Sequence, residues 1–199
     1  RVPISAENLL DAVELGVDLR HANFTGAIFS GESLGGIVGL DLTGANFTNA
    51  DMRGVDLSHV IAPRARFFGA DLSCLQRDGE PELCSQLDAA DLEGSDLSSA
   101  DLTGASFVGP DPELPEVACG DGPRPSVQLT DAVFGQTNLL RADLRGVDLS
   151  GSDLSGALLV ETNMGQACLA AAHLPLTDLS RARFDGADLS GASLVNAVM

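Results

Sequence analysis

Large apolar residues recur at every fifth position along most of the chain. From Leu129 to Met199 the series is unbroken and has fifteen members. Earlier runs are Leu19 to Leu34, Leu42 to Leu72, and Leu87 to Phe107, giving 31 such centres in all. Thirty of them are Leu, Phe or Met, and Ala62 is the exception. Two residues before the centre stands Ala, Ser, Thr or Val in 29 cases. The two departures, Glu32 and Leu40, flank Gly35–Gly39, where a local distortion is expected. Between these apolar positions the chain carries Asp, Asn, Ser, Thr, Arg and Gly.

A period of five fits neither the 3.6 of a helix nor the 2 of a strand. On a helix the centres would wander round every face. A chain that turns a corner after every fifth residue solves this, because four pentads then close one square coil of 20 residues. The centre fills the axis, and the small residue two before it lets the next wall approach. The remaining three positions face solvent. Fourteen pentads place Gly two after the centre, where a corner needs unusual backbone angles. Phe47 and Phe67, 20 residues apart, are expected to stack, and so are Asp51 and Asp71.

Ala45-Asn-Phe47-Thr-Asn, Ala70-Asp-Leu72-Ser-Cys, Ala142-Asp-Leu144-Arg-Gly and Ala187-Asp-Leu189-Ser-Gly resemble the pentapeptide-repeat family, whose consensus is A(D/N)LXX. The resemblance spans most of residues 17–199. It implies an all-β fold, a right-handed quadrilateral parallel β-helix, or solenoid. At roughly 4.8 Å per coil, nearly eight coils make a rod about 37 Å long.

Ser5 to Leu15 reads as one short helix, with Ser5 as N-cap and Glu7 in the first turn. Leu9, Leu10 and Val13 form its apolar face, and Gly16 ends it. The expected organisation is a capping helix over 1–16 and a β-helix over 17–199. A lid shields strand edges at one end. No such lid is read at the other end, where Met199 is itself a centre. Either sequence is missing there or the last coil meets another surface, and end-to-end self-association through that coil is the natural expectation of the second case. Two segments rich in Pro, Gly and acid interrupt the period, at about 73–84 and 108–126. They read as surface loops, the usual place for binding on a rigid scaffold.

The four cysteines stand outside the core pattern. Cys74 and Cys84 bracket the first insertion. Cys119 lies in the second, and Cys168, one before a centre, is expected to face outward. Of three connectivities, Cys74–Cys84 with Cys119–Cys168 is the expected one. Bridged cysteines imply an oxidising compartment, such as periplasm, lumen or extracellular space; free thiols would imply the cytoplasm. Numbering from Arg1 fits a mature form after signal cleavage.

Composition narrows the function. Asp and Glu number 29 against 11 Lys and Arg, for a net charge of −18. All eleven cations are Arg, and Trp and Tyr are absent. Clustered cations for a nucleic-acid backbone are missing, and no apolar run approaches the ~20 residues of a membrane-spanning helix. Thirteen pentads carry Asp one before the centre, so much of the charge follows the repeat. His21, His59 and His173 are scattered and outward, no nucleophile–base pair stands out, and no cofactor motif appears. No cysteine pair has zinc-finger spacing. Asp111, Glu113, Glu116 and Asp121 crowd the second insertion, and Asp78, Glu80 and Glu82 the first; such oxygen-rich loops are candidates for calcium.

The expectation is therefore a non-catalytic structural or protein-interaction module, not an enzyme, with a protein partner the sequence does not name. The alternative follows from the resemblance. Some pentapeptide-repeat proteins present an acidic rod of duplex-like width to DNA gyrase. This chain departs from them in its cysteines, in lacking a C-terminal dimerisation helix, and in Arg141, Arg145, Arg181 and Arg183 among the last coils.

Overall fold

The computed structural model describes residues 6–35, 37, 40–108 and 127–199. Its helix, α1, spans Ala6–Glu14. Ser5 and the side chains of Glu7 and Leu10 lie outside the described set. Leu9 is 1% exposed, and Val13 packs partly buried against the same core. Gly16 ends the helix with φ +69°. Its N–H donates to the Val13 carbonyl (2.9 Å) and that of Val17 to the Ala12 carbonyl (2.9 Å), the paired bonds of a Schellman motif.

Apart from the first insertion, the other described residues wind into stacked square coils. Each wall contributes one residue per coil to a column of isolated parallel β-bridges. One column runs Asn23, Asn46, Arg66, Asp96, Val133, Asp153, His173 and Ser193, so eight coils stack. Bridges join residues 20 apart wherever the repeat is regular, as in Asp51 with Asp71. The steps widen to 23 for Asn23 with Asn46, to 30 for Asp56 with Gln86, and to 37 for Asp91 with Gln128. The bridged residues thus keep their register across insertions of three, ten and seventeen residues. Gly35–Gly39 accounts for the shortest.

The corners are built alike. In Leu42–Ala45 the Ala45 N–H donates to the Leu42 carbonyl (2.9 Å), and Gly44 has φ +65°. This is a four-residue turn whose third residue must be left-handed. The Gly44 N–H, pointing along the rod, donates to Pro63 in the next coil (2.9 Å). Among the described residues fifteen non-glycine residues also adopt positive φ, and Asn49, His59, Arg64 and Leu176 are examples. The bond from the corner N–H to the next coil, such as Asn49 to Phe68 (3.0 Å), offsets a strain of about 1–3 kcal/mol.

Inside, the small and large positions are almost wholly buried. Phe24, Phe47 and Phe67 form a continuous stack, with centroid distances of 5.0 and 5.1 Å and interplanar angles of 15° and 6°. Where Ser or Thr replaces the small Ala, its hydroxyl donates to a main-chain carbonyl: Thr137 to Leu97 at 2.7 Å, Thr162 to Leu139 at 2.9 Å, Ser85 to Met52 at 3.1 Å. Among the described residues no buried side-chain polar atom lacks a partner. In the last coil the inward side chains Phe184, Leu189 and Leu194 are only partly buried, and Met199 is 82% exposed. No described helix is long and apolar enough to cross a membrane.

Candidate functional site

The rod's outward chemistry lies in its acids, its arginines and the first insertion. All thirteen repeat aspartates, from Asp18 to Asp188, accept a hydrogen bond from the backbone N–H two residues on. Examples are Asp41 from Thr43 (2.9 Å), Asp101 from Thr103 (3.0 Å) and Asp188 from Ser190 (2.8 Å). Asn23, Asn46, Asn138 and Asn163 accept the same bond. The carboxylate or amide oxygen thus caps the turn it precedes. Hydroxyls two residues on add a second bond, as in Thr43 to Asp41 (2.5 Å).

At five of these aspartates hydrogen bonding lowers the carboxyl pKa. Hydrogen bonds from Arg20 hold Asp18 down at about 2. The Thr43 hydroxyl lowers Asp41, the Arg53 guanidinium Asp51, the Ser155 hydroxyl Asp153 and the Ser180 side chain Asp178. Asp88 goes the other way. Burial raises it, against a bond from the Ser106 hydroxyl (2.9 Å), and Asp143 and Asp56 add repulsion.

Three arginines grip the aspartate two residues before them with a two-pronged fork. Arg20 donates to both oxygens of Asp18 at 2.9 and 2.6 Å, Arg53 to those of Asp51 at 2.9 and 2.7 Å, and Arg145 to those of Asp143 at 2.9 and 2.8 Å. Arg53 also reaches Asp71 one coil on (3.7 Å), relieving repulsion between stacked carboxylates. A lysine ammonium offers no such planar fork, which gives a physical reason for arginine at these positions. Farther along, Arg141, Glu161 and Arg181, each 20 apart, form a ladder at 2.9 and 3.1 Å.

The first insertion is more ordered than a surface loop. Its sequence, Cys74-Leu-Gln-Arg-Asp-Gly-Glu-Pro-Glu-Leu-Cys84, is nearly symmetric about Gly79. It folds as an antiparallel hairpin. Leu75 and Leu83 exchange both backbone bonds (2.6 and 3.1 Å). Beyond them the Gln76 amide donates to Glu82, and Gly79 turns the tip with φ +77°. Below them a disulfide joins Cys74 to Cys84. The hairpin lies along one edge of the rod, where the corners are glycines. A Cβ on Gly54 would sit 2.7 Å from the Leu83 carbonyl oxygen, one on Gly31 would sit 3.2 Å from Leu75, and one on Gly104 would sit 2.6 Å from the Cys74 sulfur. Glycine here serves close approach as much as backbone angle. Only the tip, from Gln76 to Glu82, is fully exposed.

Other expected residues are more dispersed. Cys168 occupies the outward bridge position, yet it is only 5% exposed. The Ser150 hydroxyl one coil back packs on its sulfur (3.0 Å), so an outward position here is a covered one. Cys168 is not a free thiol; its expected partner, Cys119, lies outside the described residues. So do the calcium candidates Asp111, Glu113, Glu116 and Asp121, with the second insertion beyond Val108. Asp78 and Glu80 are exposed at the hairpin tip. His21, His59 and His173 are exposed at two corners and on one wall, and the His21 ring covers Gly44 of the next coil. A cleft of about 340 Å³ between the end of α1 and the first coils is lined by Val13, Val17, Leu19, Leu40, Asp18 and Asp41.

A sequence profile described as pentapeptide repeats matches in eight copies, over residues 38–73, 85–111, 128–166 and 163–199. The chain belongs to the pentapeptide-repeat family. Similar solved structures belong to it as well. HetL, a pentapeptide repeat protein involved in heterocyst differentiation regulation in the cyanobacterium Nostoc sp. strain PCC 7120, is 26% identical, with 90% of this chain and 73% of that one covered and a TM-score of 0.25. QnrB1, a plasmid-mediated fluoroquinolone resistance protein, is 18% identical over 80% of this chain and 89% of its own, with a TM-score of 0.33. A pentapeptide repeat protein from the Arabidopsis thaliana thylakoid lumen is 24% identical, covering 71% and 66%, with a TM-score of 0.25. No curated protein sequence matches the chain.

Proposed function

We propose that this pentapeptide-repeat chain is a non-catalytic structural or protein-interaction module. It is a rigid, acidic, right-handed quadrilateral rod, stapled by disulfides and working outside the cytoplasm. The observation that carries the reading is the use of the acids. Thirteen aspartates each give a carboxylate oxygen to the backbone N–H of their own turn, a structural use that explains their recurrence. The side-chain-filled axis leaves the outer walls and the hairpin as the surface for a partner. The Cys74–Cys84 disulfide supports an oxidising compartment.

The test is affinity capture from the native source with the intact chain and with a chain in which residues 75–83 are replaced by a short linker. A stoichiometric partner that is lost with the hairpin supports the reading. Capture of nothing by either chain counts against it. The mass of the unreduced native protein shows whether both bridges are present, and scattering across a concentration series shows whether copies associate.

The runner-up is a mimic of DNA that binds DNA gyrase. The stacked carboxylates of Asp51, Asp71 and Asp101 on one wall favour it, while the Arg53 bridge between the first two supports the first reading. A supercoiling assay separates the two: complete inhibition at one protein per gyrase would establish the mimic.

A further inference from the structure

We propose that the base of the hairpin is a redox-gated metal site: when the Cys74–Cys84 disulfide is reduced, the two thiolates and the Glu82 carboxylate bind one Zn²⁺ ion. The sulfur atoms of Cys74 and Cys84 and a carboxylate oxygen of Glu82 all lie within 4.8 Å of one another. The sequence hides this set. The cysteines are ten residues apart, far from the short spacing of zinc motifs, and it is the antiparallel pairing that brings them together.

The arrangement does not depend on the disulfide. Leu75 and Leu83, directly beyond it, hold the strands by two backbone bonds and rest on the glycine corners at 31 and 54. Ser85, directly below Cys84, is fully buried and donates to the Met52 carbonyl. On the other strand the Ser73 carbonyl, directly below Cys74, accepts from the Gly54 N–H (2.9 Å), so both thiol-bearing segments are fixed at each end by contacts that survive reduction. The Gln76 amide donates to Glu82 and orients its carboxylate toward the sulfurs, the role an outer partner plays at metal sites. Two thiolates and one carboxylate suit a borderline-soft ion, with the fourth tetrahedral position left to water. The neighbouring acids Asp78 and Glu80, on a chain of net charge −18, favour a cation further.

The gate is a balanced exchange. A dithiol reductant gives two electrons and two protons to the disulfide; the S–S bond breaks, Cys74 and Cys84 become thiols, and the reductant closes its own disulfide. Zinc binding then releases the two thiol protons to solvent, and no other bond changes. In the oxidised hairpin neither sulfur carries charge, so the site is shut.

The test reduces the full chain with a dithiol, removes the reductant under anaerobic conditions, and measures Zn²⁺ uptake by equilibrium dialysis. Cd²⁺ serves as a second probe through its thiolate charge-transfer absorption. Cys119 and Cys168 are reduced too, so the comparison is with a Cys74→Ser/Cys84→Ser chain treated identically. The reduced native chain should take up one ion more than that variant, and the oxidised chain none at the hairpin. Glu82→Gln, which keeps both cysteines, should weaken binding by roughly tenfold or more. Equal uptake by the reduced native chain and the serine variant would overturn the proposal, as would unchanged affinity in Glu82→Gln. Should the serine variant fail to fold, Glu82→Gln decides the matter alone.

Discussion

Phe47 sits fully buried at the middle of a three-ring stack, against Phe24 and Phe67. Phe134 is equally buried, but the repeat places Leu97 and Leu154 on either side of it, and it takes part in none of the ring pairs. Leucine is the commonest centre in this chain, so replacing either Phe by Leu preserves an acceptable core residue. Phe47→Leu removes three ring contacts, the two stacked ones and an edge-to-face contact with Phe29 at 6.0 Å, at about 0.5–1.5 kcal/mol each, hence about 1.5–4.5 kcal/mol more than Phe134→Leu. For a chain of this size the extra loss corresponds to about 3–18 °C in Tm. Thermal unfolding followed by circular dichroism at pH 7, with disulfides intact, measures it. Because each coil touches only its neighbours, amide exchange should accelerate in the coils holding Phe24, Phe47 and Phe67 and remain slow beyond Leu129. Equal losses for the two variants, or exchange that rises evenly along the rod, would refute the stacking argument.

Other outcomes follow from the same geometry. Gly54→Ala drives a methyl toward the Leu83 carbonyl oxygen 2.7 Å away, whereas Gly146→Ala meets nothing within 4 Å. Both residues have positive φ, so Gly54→Ala should show the greater loss of Tm and faster reduction of the Cys74–Cys84 disulfide by a dithiol. Asp88 has a raised folded pKa, so its charge opposes folding above that value and the penalty vanishes below the ordinary 3.8. Asp88→Asn should therefore raise Tm at pH 7 and leave it unchanged near pH 3. Asp153 has a lowered pKa, so its contribution is complete above the ordinary 3.8 and is lost as pH falls through the lower folded value. Asp153→Asn should lower Tm at pH 7, with the difference closing at strongly acid pH. Glu161→Gln breaks the exposed Arg141–Glu161–Arg181 ladder, and because solvent screens exposed pairs it should leave Tm almost unchanged in the same melts.

The axis was legible in the sequence because every inward position faces the same packing problem. A centre must span the lumen and its small companion must let a wall close, so a period of five with Leu or Phe and Ala announces both. The stacking of Phe47 on Phe67 followed from a 20-residue coil. The corners were legible only in part. Glycine marks twelve of the described ones, yet His59, Arg64 and Leu176 take the same left-handed angle, because the bonds closing the turn and reaching the next coil impose it on any side chain. The outward aspartates read only as charge that follows the repeat. Their bond to the N–H two residues on is local, and the recurring Asp-Leu-Ser and Asp-Leu-Thr triplets carried that signal. The hairpin was read as a loop from its Gly, Pro and acid. Its mirror symmetry, Cys-Leu-Gln against Glu-Leu-Cys, held the information on pairing, and the glycines at 31, 54 and 104 held the information on where it lies. Neither belongs to the five-residue period. The absence of Lys had no explanation in the repeat, and the arginine forks on Asp18, Asp51 and Asp143 now supply part of one.

The reading of the rod rests on its acids serving the turns and not a ligand. Asn23, Asn46, Asn138 and Asn163 already make the turn bond without charge. The most direct measurement is the thermal melt at pH 7 of a chain with all thirteen repeat aspartates changed to Asn, beside one with the same positions changed to Ala. The Asn chain should keep the native circular dichroism spectrum and a cooperative melt, while the Ala chain, robbed of thirteen turn bonds, should not fold. An Asn chain that fails to fold, or an Ala chain as stable as the native one, would contradict the structural role assigned to these residues.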